Sequence, residues 1–166
     1  MNIEDRLITI NEMTRPGENL KKVKRIILSS TNLKNVSAVK CRNDIERFKY
    51  QAENYLSYHY IIDLAGNIVR CVPEDEISYS TNKFDIDSES ISIAIVEDDE
   101  NNISTESFRV QIELIQNICE SYLLNPLEDI YMIYDITGSR KPRYYIDNKF
   151  KFEDLKMQIS DNIWYS

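Results

Sequence analysis

Three short apolar runs, separated by longer polar stretches, mark the candidate core of this chain. They lie at residues 23–30, 91–96 and 130–133, and the first of them contains Ile26-Ile27-Leu28. Apolar runs of this length, bounded by polar segments, are typical of strands that are buried on both faces. The pattern therefore predicts three buried strands.

A further β-rich region has the pattern of a hairpin. Residues 58–63 and 67–72 are rich in Tyr, Ile and Val, and they flank Leu64-Ala65-Gly66. Two such segments, separated by three residues that include a glycine, predict a pair of antiparallel strands joined by a short turn. Residues 73–90 and 134–145 are mostly polar and are predicted to be loops.

Three segments carry apolar residues at spacings of three and four, which predicts amphipathic helices. The first covers residues 37–55 and the last covers residues 150–164. The second begins after Ser104, a residue type that caps helices, and ends before Asn125-Pro126. The apolar positions are Ile45, Phe48, Ala52 and Tyr55 in the first helix, Phe108, Ile112, Ile115, Cys119 and Tyr122 in the second, and Phe152, Leu155, Ile159 and Ile163 in the third.

The alternation of strands and helices predicts the fold class. The 166 residues suit one domain, and the order of elements predicts an α/β fold with a mixed central β-sheet and helices on both faces. Residues 1–22 are polar, so we expect an N-terminal extension that packs on a domain of residues 23–166. Ligands of such sheets bind outside the strand ends. That rule directs attention to residues 29–31 and to the two predicted loops.

The charge balance of the chain narrows its range of partners. Lys and Arg number 20 against 28 Asp and Glu, which gives a net charge of −8. An acidic surface repels phosphates, so we expect neither nucleic acid nor a membrane as a partner. No apolar run has the length of a signal peptide or of a membrane span. We therefore expect a cytoplasmic protein that reaches a cell wall only after lysis or by another export route.

Residue types that carry chemistry are few. Cys41, Cys71 and Cys119 are widely spaced and odd in number, which is a poor basis for disulfides and fits a reducing compartment. His59 is the only histidine, so a zinc site with two histidines cannot form in this chain. We expect His59 to have a structural role, hydrogen-bonded within or beside the sheet. The acidic run Glu97-Asp98-Asp99-Glu100 is expected to be a solvated turn.

Several stretches between residues 7 and 156 occur in an order that marks a known family. They are Leu7-Ile8-Thr9-Ile10-Asn11, Tyr58-His59-Tyr60-Ile61-Ile62-Asp63, Val72-Pro73-Glu74-Asp75-Glu76 and Tyr134-Asp135-Ile136-Thr137-Gly138. Together they resemble the zinc-dependent N-acetylmuramoyl-L-alanine amidases of phage endolysins, sporulation amidases and animal peptidoglycan-recognition proteins. The resemblance implies the fold of that family. It also implies its reaction, hydrolysis of the amide between N-acetylmuramic acid and L-alanine.

The resemblance implies in addition that the family's zinc site has decayed here. Its ligands are two histidines and a cysteine or acidic residue, and the matching positions hold Ser29, Ile133 and Lys141. A serine hydroxyl is a weak zinc ligand, isoleucine has no donor atom, and a protonated lysine repels a cation. Ala94 and Ser139 stand where relatives often have a glutamate and a catalytic lysine. We therefore expect no catalytic residue, no zinc and no other cofactor.

Five positions remain candidates for contact with a peptidoglycan fragment. Tyr58 matches a tyrosine that precedes histidine in one branch of the family, and Tyr79 lies in the polar loop of residues 73–90. Thr137, Arg140 and Lys141 follow the last strand, where the family binds substrate. The alternative interpretation is that the tyrosines pack as ordinary aromatics and that the cations belong to a solvated loop.

Three functions are compatible with the sequence. The first is an inactive amidase-like protein that binds peptidoglycan fragments or a partner in cell-wall metabolism. The second is a protein-interaction or regulatory module that does not bind the wall. The third is an active amidase that cleaves the N-acetylmuramoyl–L-alanine amide of peptidoglycan.

Overall fold

Six strands form one mixed sheet in the computed structural model, which describes residues 1–50 and 55–163. Their order across the sheet is β1-β4-β3-β5-β2-β6. All neighbouring pairs are parallel except β3 and β4, which form the predicted antiparallel hairpin. The strands are β1 (Ile3–Asp5), β2 (Arg25–Ser30), β3 (Tyr60–Ile62), β4 (Ile68–Arg70), β5 (Ser90–Ile95) and β6 (Ile130–Met132).

Helices cover both faces of the sheet, as the sequence predicts. They are α1 (Ala38–Arg47), α2 (Phe84–Asp87), α3 (Thr105–Tyr122), α4 (Ile133–Thr137), α5 (Arg143–Asp147) and α6 (Lys149–Asn162). On one face α3 and α6 bury Leu114, Ile118 and Leu155 in the larger core cluster. On the other face α1 buries Cys41 and Ile45 in the second cluster. The apolar strands are therefore enclosed between two layers of helices.

The hairpin and α1 share one buried carboxylate. Asp63 accepts hydrogen bonds from the backbone N–H groups of Ala65 (3.1 Å) and Asn67 (2.9 Å), which closes the turn after β3. Its second oxygen accepts from the N–H of Ala38 at 3.0 Å, the first residue of α1. Gly66 takes a φ of +87°, a conformation that side chains with a Cβ rarely adopt. A single side chain thus fixes the start of α1 relative to the sheet.

Several predicted elements differ in extent. The first helix is shorter than predicted: α1 ends at Arg47, a 3₁₀ turn follows at Phe48–Tyr50, and Ala52 lies outside the described residues. The predicted loops were wrong in part, because residues 73–90 contain α2 and residues 134–145 contain most of α4 and most of α5. Helices of four or five residues are too short to show a helical period.

The N-terminal residues contribute a strand that the sequence analysis did not predict. Strand β1 pairs in parallel with β4, with Ile3 opposite Ile68. It lies at the edge of the sheet and two of its three residues are exposed, so it has no apolar pattern. The division of the chain at residue 22 stays a prediction. None of the helices in the described residues is both long and apolar enough to span a membrane.

His59 is fully buried just before β3 and links three parts of the fold. Its Nδ1 accepts the backbone N–H of Ser92 in β5 at 3.0 Å, so the ring proton lies on Nε2, which donates to the carbonyl of Glu76 at 2.7 Å. The hydroxyl of Ser78 also lies 3.2 Å from Nδ1. Both ring nitrogens are occupied, which confirms the predicted hydrogen-bonded position beside the sheet.

Burial lowers the pKa of His59 from 6.5 to about 4, while the Glu76 carbonyl and the charges of Glu74, Glu76 and Asp75 oppose the shift. An unfolded chain therefore binds a proton near pH 6.5 that the folded chain does not bind until about pH 4. We predict that the free energy of unfolding falls as the pH drops through this window, by roughly 3 kcal/mol in total.

Denaturant titrations at several pH values, on the wild type and on His59→Gln, measure this contribution. Carboxylates also titrate in the lower part of the window, so only the difference between the two slopes belongs to the histidine. Equal slopes in the two proteins would show that His59 does not contribute to the acid sensitivity.

Candidate functional site

The carboxyl ends of β2 and β5 bring together the first group of predicted site residues. Ser29 of β2 pairs with Ala94 of β5, and the pairing of Leu28 with Met132 places Ile133 directly beyond the end of β6. The side chains of Ser29, Ala94 and Ile133 are buried, with exposed fractions of 1%, 0% and 6%. Because parallel strands end at the same edge of a sheet, three distant segments meet at one place.

Tyr58 lies beside Ser29 in the core. Its ring belongs to the cluster beneath α1, it is 2% exposed, and its hydroxyl is hydrogen-bonded to Ser29. Burial raises the pKa of Tyr58 to about 12, so the phenol is neutral at physiological pH. The cavity between Tyr58, Thr31 and α1 measures about 10 Å³, which is room for about one water molecule. In this conformation Tyr58 fills space and does not face solvent.

The loops that follow β2, β5 and α4 are joined by two lysine–asparagine contacts. The ammonium of Lys141 donates to the side-chain oxygen of Asn32, which follows β2. The ammonium of Lys34, in the same segment as Asn32, donates to the side-chain oxygen of Asn101 in the turn after β5. The backbone N–H of Tyr134 donates to the carbonyl of Lys141 at 3.2 Å, which holds the last loop against α4.

Glu97 lies beneath these lysines and is buried, with an exposed fraction of 2%. Its carboxylate accepts the backbone N–H of Tyr144 at 2.6 Å and a hydrogen bond from Ser30. Burial raises the pKa of Glu97, although the Tyr144 bond and the charges of Lys34 and Lys141 act in the opposite direction. Burial likewise lowers the pKa of Lys141, against the attraction of Glu97. The expectation that Glu97 belongs to a solvated turn was therefore wrong.

The other predicted candidates lie in two places. The carbonyl of Tyr79 accepts the backbone N–H of Ser57, and the N–H of Tyr79 donates to the Ser57 hydroxyl. Its ring packs edge-on against Tyr55, with ring centres 5.7 Å apart. Thr137 is exposed at the end of α4, where its hydroxyl donates to the carbonyl of Ile133 at 3.2 Å. Arg140 is exposed in the loop after α4. The structure thus brings Thr137 near Ile133, whereas the described contacts of Tyr79 are with Ser57 and Tyr55.

Four residues of this site were missed by the sequence analysis: Asn32, Lys34, Glu97 and Asn101. The available signal was that Glu97 directly follows the apolar run of residues 91–96. Residues just beyond a strand at this edge lie beside the loops that follow the neighbouring strands. The two asparagines and Lys34 lie in polar segments in which apolar residues do not recur at a regular spacing. No local pattern distinguishes them from other surface residues.

The metal-ligating residue types are dispersed. Within residues 1–50 and 55–163, no group of three or more His, Cys, Asp and Glu side chains is arranged to hold a metal ion.

A larger cavity of about 450 Å³ opens away from these strand ends, between the edge strand β6 and α6, and Tyr131, Phe152 and Lys156 are among the residues that line it.

Curated sequences with similarity to this chain are bacterial amidases. The N-acetylmuramoyl-L-alanine amidase BlyA of Bacillus subtilis is 25% identical over 170 aligned residues, which cover 92% of this chain and 45% of BlyA. The amidase CwlL of Bacillus licheniformis is 24% identical over 166 residues, with the same coverage of the two chains. This chain therefore spans less than half of the length of these relatives.

Solved structures with similarity to this chain share its whole fold. A mutant endolysin from Bacillus subtilis superposes with a TM-score of 0.78 at 20% identity, over 96% of this chain and 99% of the endolysin. The catalytic domain of XlyA gives a TM-score of 0.78 at 18% identity, over 94% and 99% of the two chains. The family described as N-acetylmuramoyl-L-alanine amidase matches residues 19–144, from before β2 to α5. Since that match covers more than half of the sequence, this chain belongs to the N-acetylmuramoyl-L-alanine amidase family.

Proposed function

We propose that this chain is a catalytically inactive member of the amidase family that binds peptidoglycan fragments. One observation carries the proposal. The residues that match the family's zinc ligands, Ser29, Ile133 and Lys141, supply one weak ligand, one apolar side chain and one cation. Ser29 and Ile133 are buried neighbours at the strand ends. The ammonium of Lys141 is engaged by Asn32.

These three residues do not fit a catalytic zinc ion. Such an ion needs three protein ligands and an open fourth position for water. When bound, it polarises the scissile carbonyl and lowers the pKa of its water to about 7, which provides hydroxide at neutral pH. None of the three side chains can do this, since serine and isoleucine leave bound water unactivated and lysine carries a proton. We therefore expect no zinc-dependent hydrolysis by this chain.

Retained binding is supported by cations in two of the loops at the strand ends. The chain has a net charge of −8, yet Lys34, Arg140 and Lys141 lie in the loops after β2 and α4. A lysine ammonium offers positive charge and three hydrogen-bond donors. It could attract the carboxylates of a stem peptide at the place where relatives attract substrate with their metal.

The competing function, an active amidase, is favoured by the names of the curated relatives. We predict that the purified chain contains much less than about one zinc per molecule, the content of a catalytic site of this class. We also predict that it releases no new L-alanine amino termini from peptidoglycan above the level of buffer. Elemental analysis and an amino-terminus assay measure the two quantities, with an active family member assayed in parallel.

A matched variant tests whether Ser29, Ile133 and Lys141 occupy the positions of the family's zinc ligands. The triple substitution Ser29→His, Ile133→His and Lys141→Cys restores the family's ligand set, and it should bind zinc where the wild type does not. A wild-type preparation with about one zinc per chain, or with activity that scales with protein and persists through further purification, would establish the active amidase instead.

We further predict that Lys141→Ala weakens muropeptide binding by about 1–3 kcal/mol, the range for loss of one charged hydrogen bond. Calorimetric titration with defined muropeptides measures the change. Lys149→Ala is the control, because Lys149 is an exposed lysine at the start of α6, on another element.

Two outcomes would contradict the proposed role of Lys141 in muropeptide binding. If the wild type does not bind muropeptides at millimolar concentration, the protein-interaction module becomes the preferred function. If the wild type and Lys141→Ala bind equally well, Lys141 is an ordinary loop lysine and the contact lies elsewhere.

A further inference from the structure

We propose that the cavity between β6 and α6 is a sugar-binding site, which takes an uncharged pyranose ring with free hydroxyl groups. The site goes beyond the proposed function, because that function assigns the stem peptide to Lys141 at the strand ends and the cavity opens away from them. The size of the cavity, its apolar floor, and the polar groups and charges at its rim all point to this class of ligand.

The cavity has the volume and the floor of a small-molecule site. It measures about 450 Å³, and such sites occupy roughly 300–1,000 Å³. β6 is the last strand in the order of the sheet, which leaves its outer edge open. Ile130, Met132 and Phe152 line the cavity and belong to the buried core. Because core packing holds these three side chains in place, the floor exists before a ligand binds.

Two tyrosines at the rim present hydroxyl groups that the protein does not use. Tyr131 and Tyr134 line the cavity and are each 37% exposed. Within the described residues their phenols have no hydrogen-bond partner. By contrast, the phenols of Tyr60, Tyr122 and Tyr145 all donate to side-chain oxygens. A partly exposed tyrosine offers a sugar an apolar ring to pack on and a hydroxyl group that donates or accepts.

Two carboxylates at the rim supply acceptors for sugar hydroxyl groups. Glu128, in the loop before β6, lines the cavity, and its carboxylate forms no ion pair or hydrogen bond in the part of the chain that the structure describes. Asp135, in the first turn of α4, accepts the N–H of Met132 at 3.0 Å with one oxygen, which leaves the other oxygen available. Hydrogen bonds from hydroxyl groups to carboxylates are shorter and stronger than those between neutral groups.

The charge around the cavity favours a neutral ligand. The charged residues that line it are three acids and two lysines, which leaves a net charge of −1: Glu128, Asp135, Glu153, Lys149 and Lys156. Glu153 and Lys156 pair with each other at 3.2 Å. Asp129, beside Glu128, adds a further negative charge, so an anion is repelled. A cation is disfavoured by the two lysines, and Lys156 already lies over the Phe152 ring, 4.9 Å from its centre. An uncharged sugar requires neither ammonium group.

A pyranose matches these groups better than an apolar ligand or a peptide strand. An apolar molecule would cover Glu128 and the two phenols without offering them hydrogen bonds, which is unfavourable. A peptide that extended the sheet would need the outer edge of β6, where the N–H of Met132 is already bonded to Asp135. A pyranose has apolar C–H faces and hydroxyl groups at its edges. It therefore packs on the floor and bonds to the rim at the same time.

The first experiment uses sugars that carry no peptide. The ¹⁵N-labelled protein is titrated separately with N-acetylglucosamine, glucose, cationic glucosamine and cyclohexanol, and backbone amide shifts are recorded. We expect saturable shifts from at least one of the two neutral sugars, with a Kd in the millimolar range, in the segments that contain Glu128, Tyr131 and Tyr134. Added salt should leave this Kd unchanged, since the ligand is neutral.

The choice between the two neutral sugars identifies the source of the ligand. Binding of N-acetylglucosamine alone indicates a glycan strand of N-acetylated amino sugars, and binding of glucose indicates a polysaccharide without acetamido groups. Both results support the sugar site. Absence of saturable shifts with both sugars, or binding of glucosamine or cyclohexanol with equal or higher affinity, would overturn it.

Variants at the rim identify the groups that bind. Glu128→Gln, Tyr131→Leu and Tyr134→Leu should each raise the Kd by about tenfold, which corresponds to about 1.4 kcal/mol. Glu12→Gln and Phe84→Leu are the matched controls, because both residues are exposed and lie outside the cavity. All five side chains are exposed, and melting temperatures confirm that each variant is folded. Unchanged affinity in all three rim variants would refute the assignment of the site.

A second arm separates this inference from the proposed function. Stem peptides without a sugar are titrated against the wild type, Lys141→Ala and Glu128→Gln. If the neutral sugar binds at the cavity and stem peptides do not bind, the sugar site stands and recognition through Lys141 fails. If stem peptides bind through Lys141 and neither neutral sugar binds, the proposed function stands and the sugar site is refuted.

Discussion

The parallel pairing of β2 with β5 on one side and with β6 on the other is the constraint on which the site depends. β2 is paired with β5 over six residues and with β6 over three. Because all three strands run in the same direction, their carboxyl ends meet at one edge, and the segments that follow them must lie side by side. Ser29, Glu97 and Lys141 are far apart in sequence. They contribute to one place only because of this arrangement.

Burial then sets the electrostatics of that edge. Glu97 is removed from water beyond the end of β5, which raises its pKa, while the N–H of Tyr144 and the nearby cations act in the opposite direction. A buried charge without partners would be strongly unfavourable. The backbone donor and the two lysines reduce that cost. The position of α5 is coupled to the same carboxylate, because Tyr144 lies in its first turn.

Binding of a ligand and hydrolysis of an amide require different properties of the charged group at position 141. Attraction of a carboxylate needs positive charge and hydrogen-bond donors, which lysine supplies. Hydrolysis of an amide at neutral pH needs in addition a source of hydroxide and a Lewis acid, which the family obtains from a metal. In the proposed function, Lys141 is therefore compatible with recognition of an anionic ligand and poorly suited to catalysis.

Local patterns in the sequence predict most of the fold and part of the site. The runs around Ile26-Ile27-Leu28 and at residues 91–96 predict buried strands, since apolar runs of that length have few other stable environments. Ser104 predicts the start of α3, where its side chain accepts the N–H of Ser107. The family resemblance predicts, from the order of short motifs, that Ser29, Ile133 and Lys141 match the metal ligands of relatives. Strand β1 was not predictable, because its polar residues gain their order from pairing with β4.

Local patterns predict which segments form strands and helices, because these depend on neighbours within a few residues. Which residues stand at the family's metal positions is a prediction from the family resemblance. The burial of Glu97 and its electrostatic interaction with Lys34 and Lys141 depend on long-range packing. The contacts involved join residues 67 positions apart for Lys34 and Asn101, and 109 apart for Lys141 and Asn32. Such pairings follow from the order and direction of strands in the sheet, and no local period of polar residues encodes them.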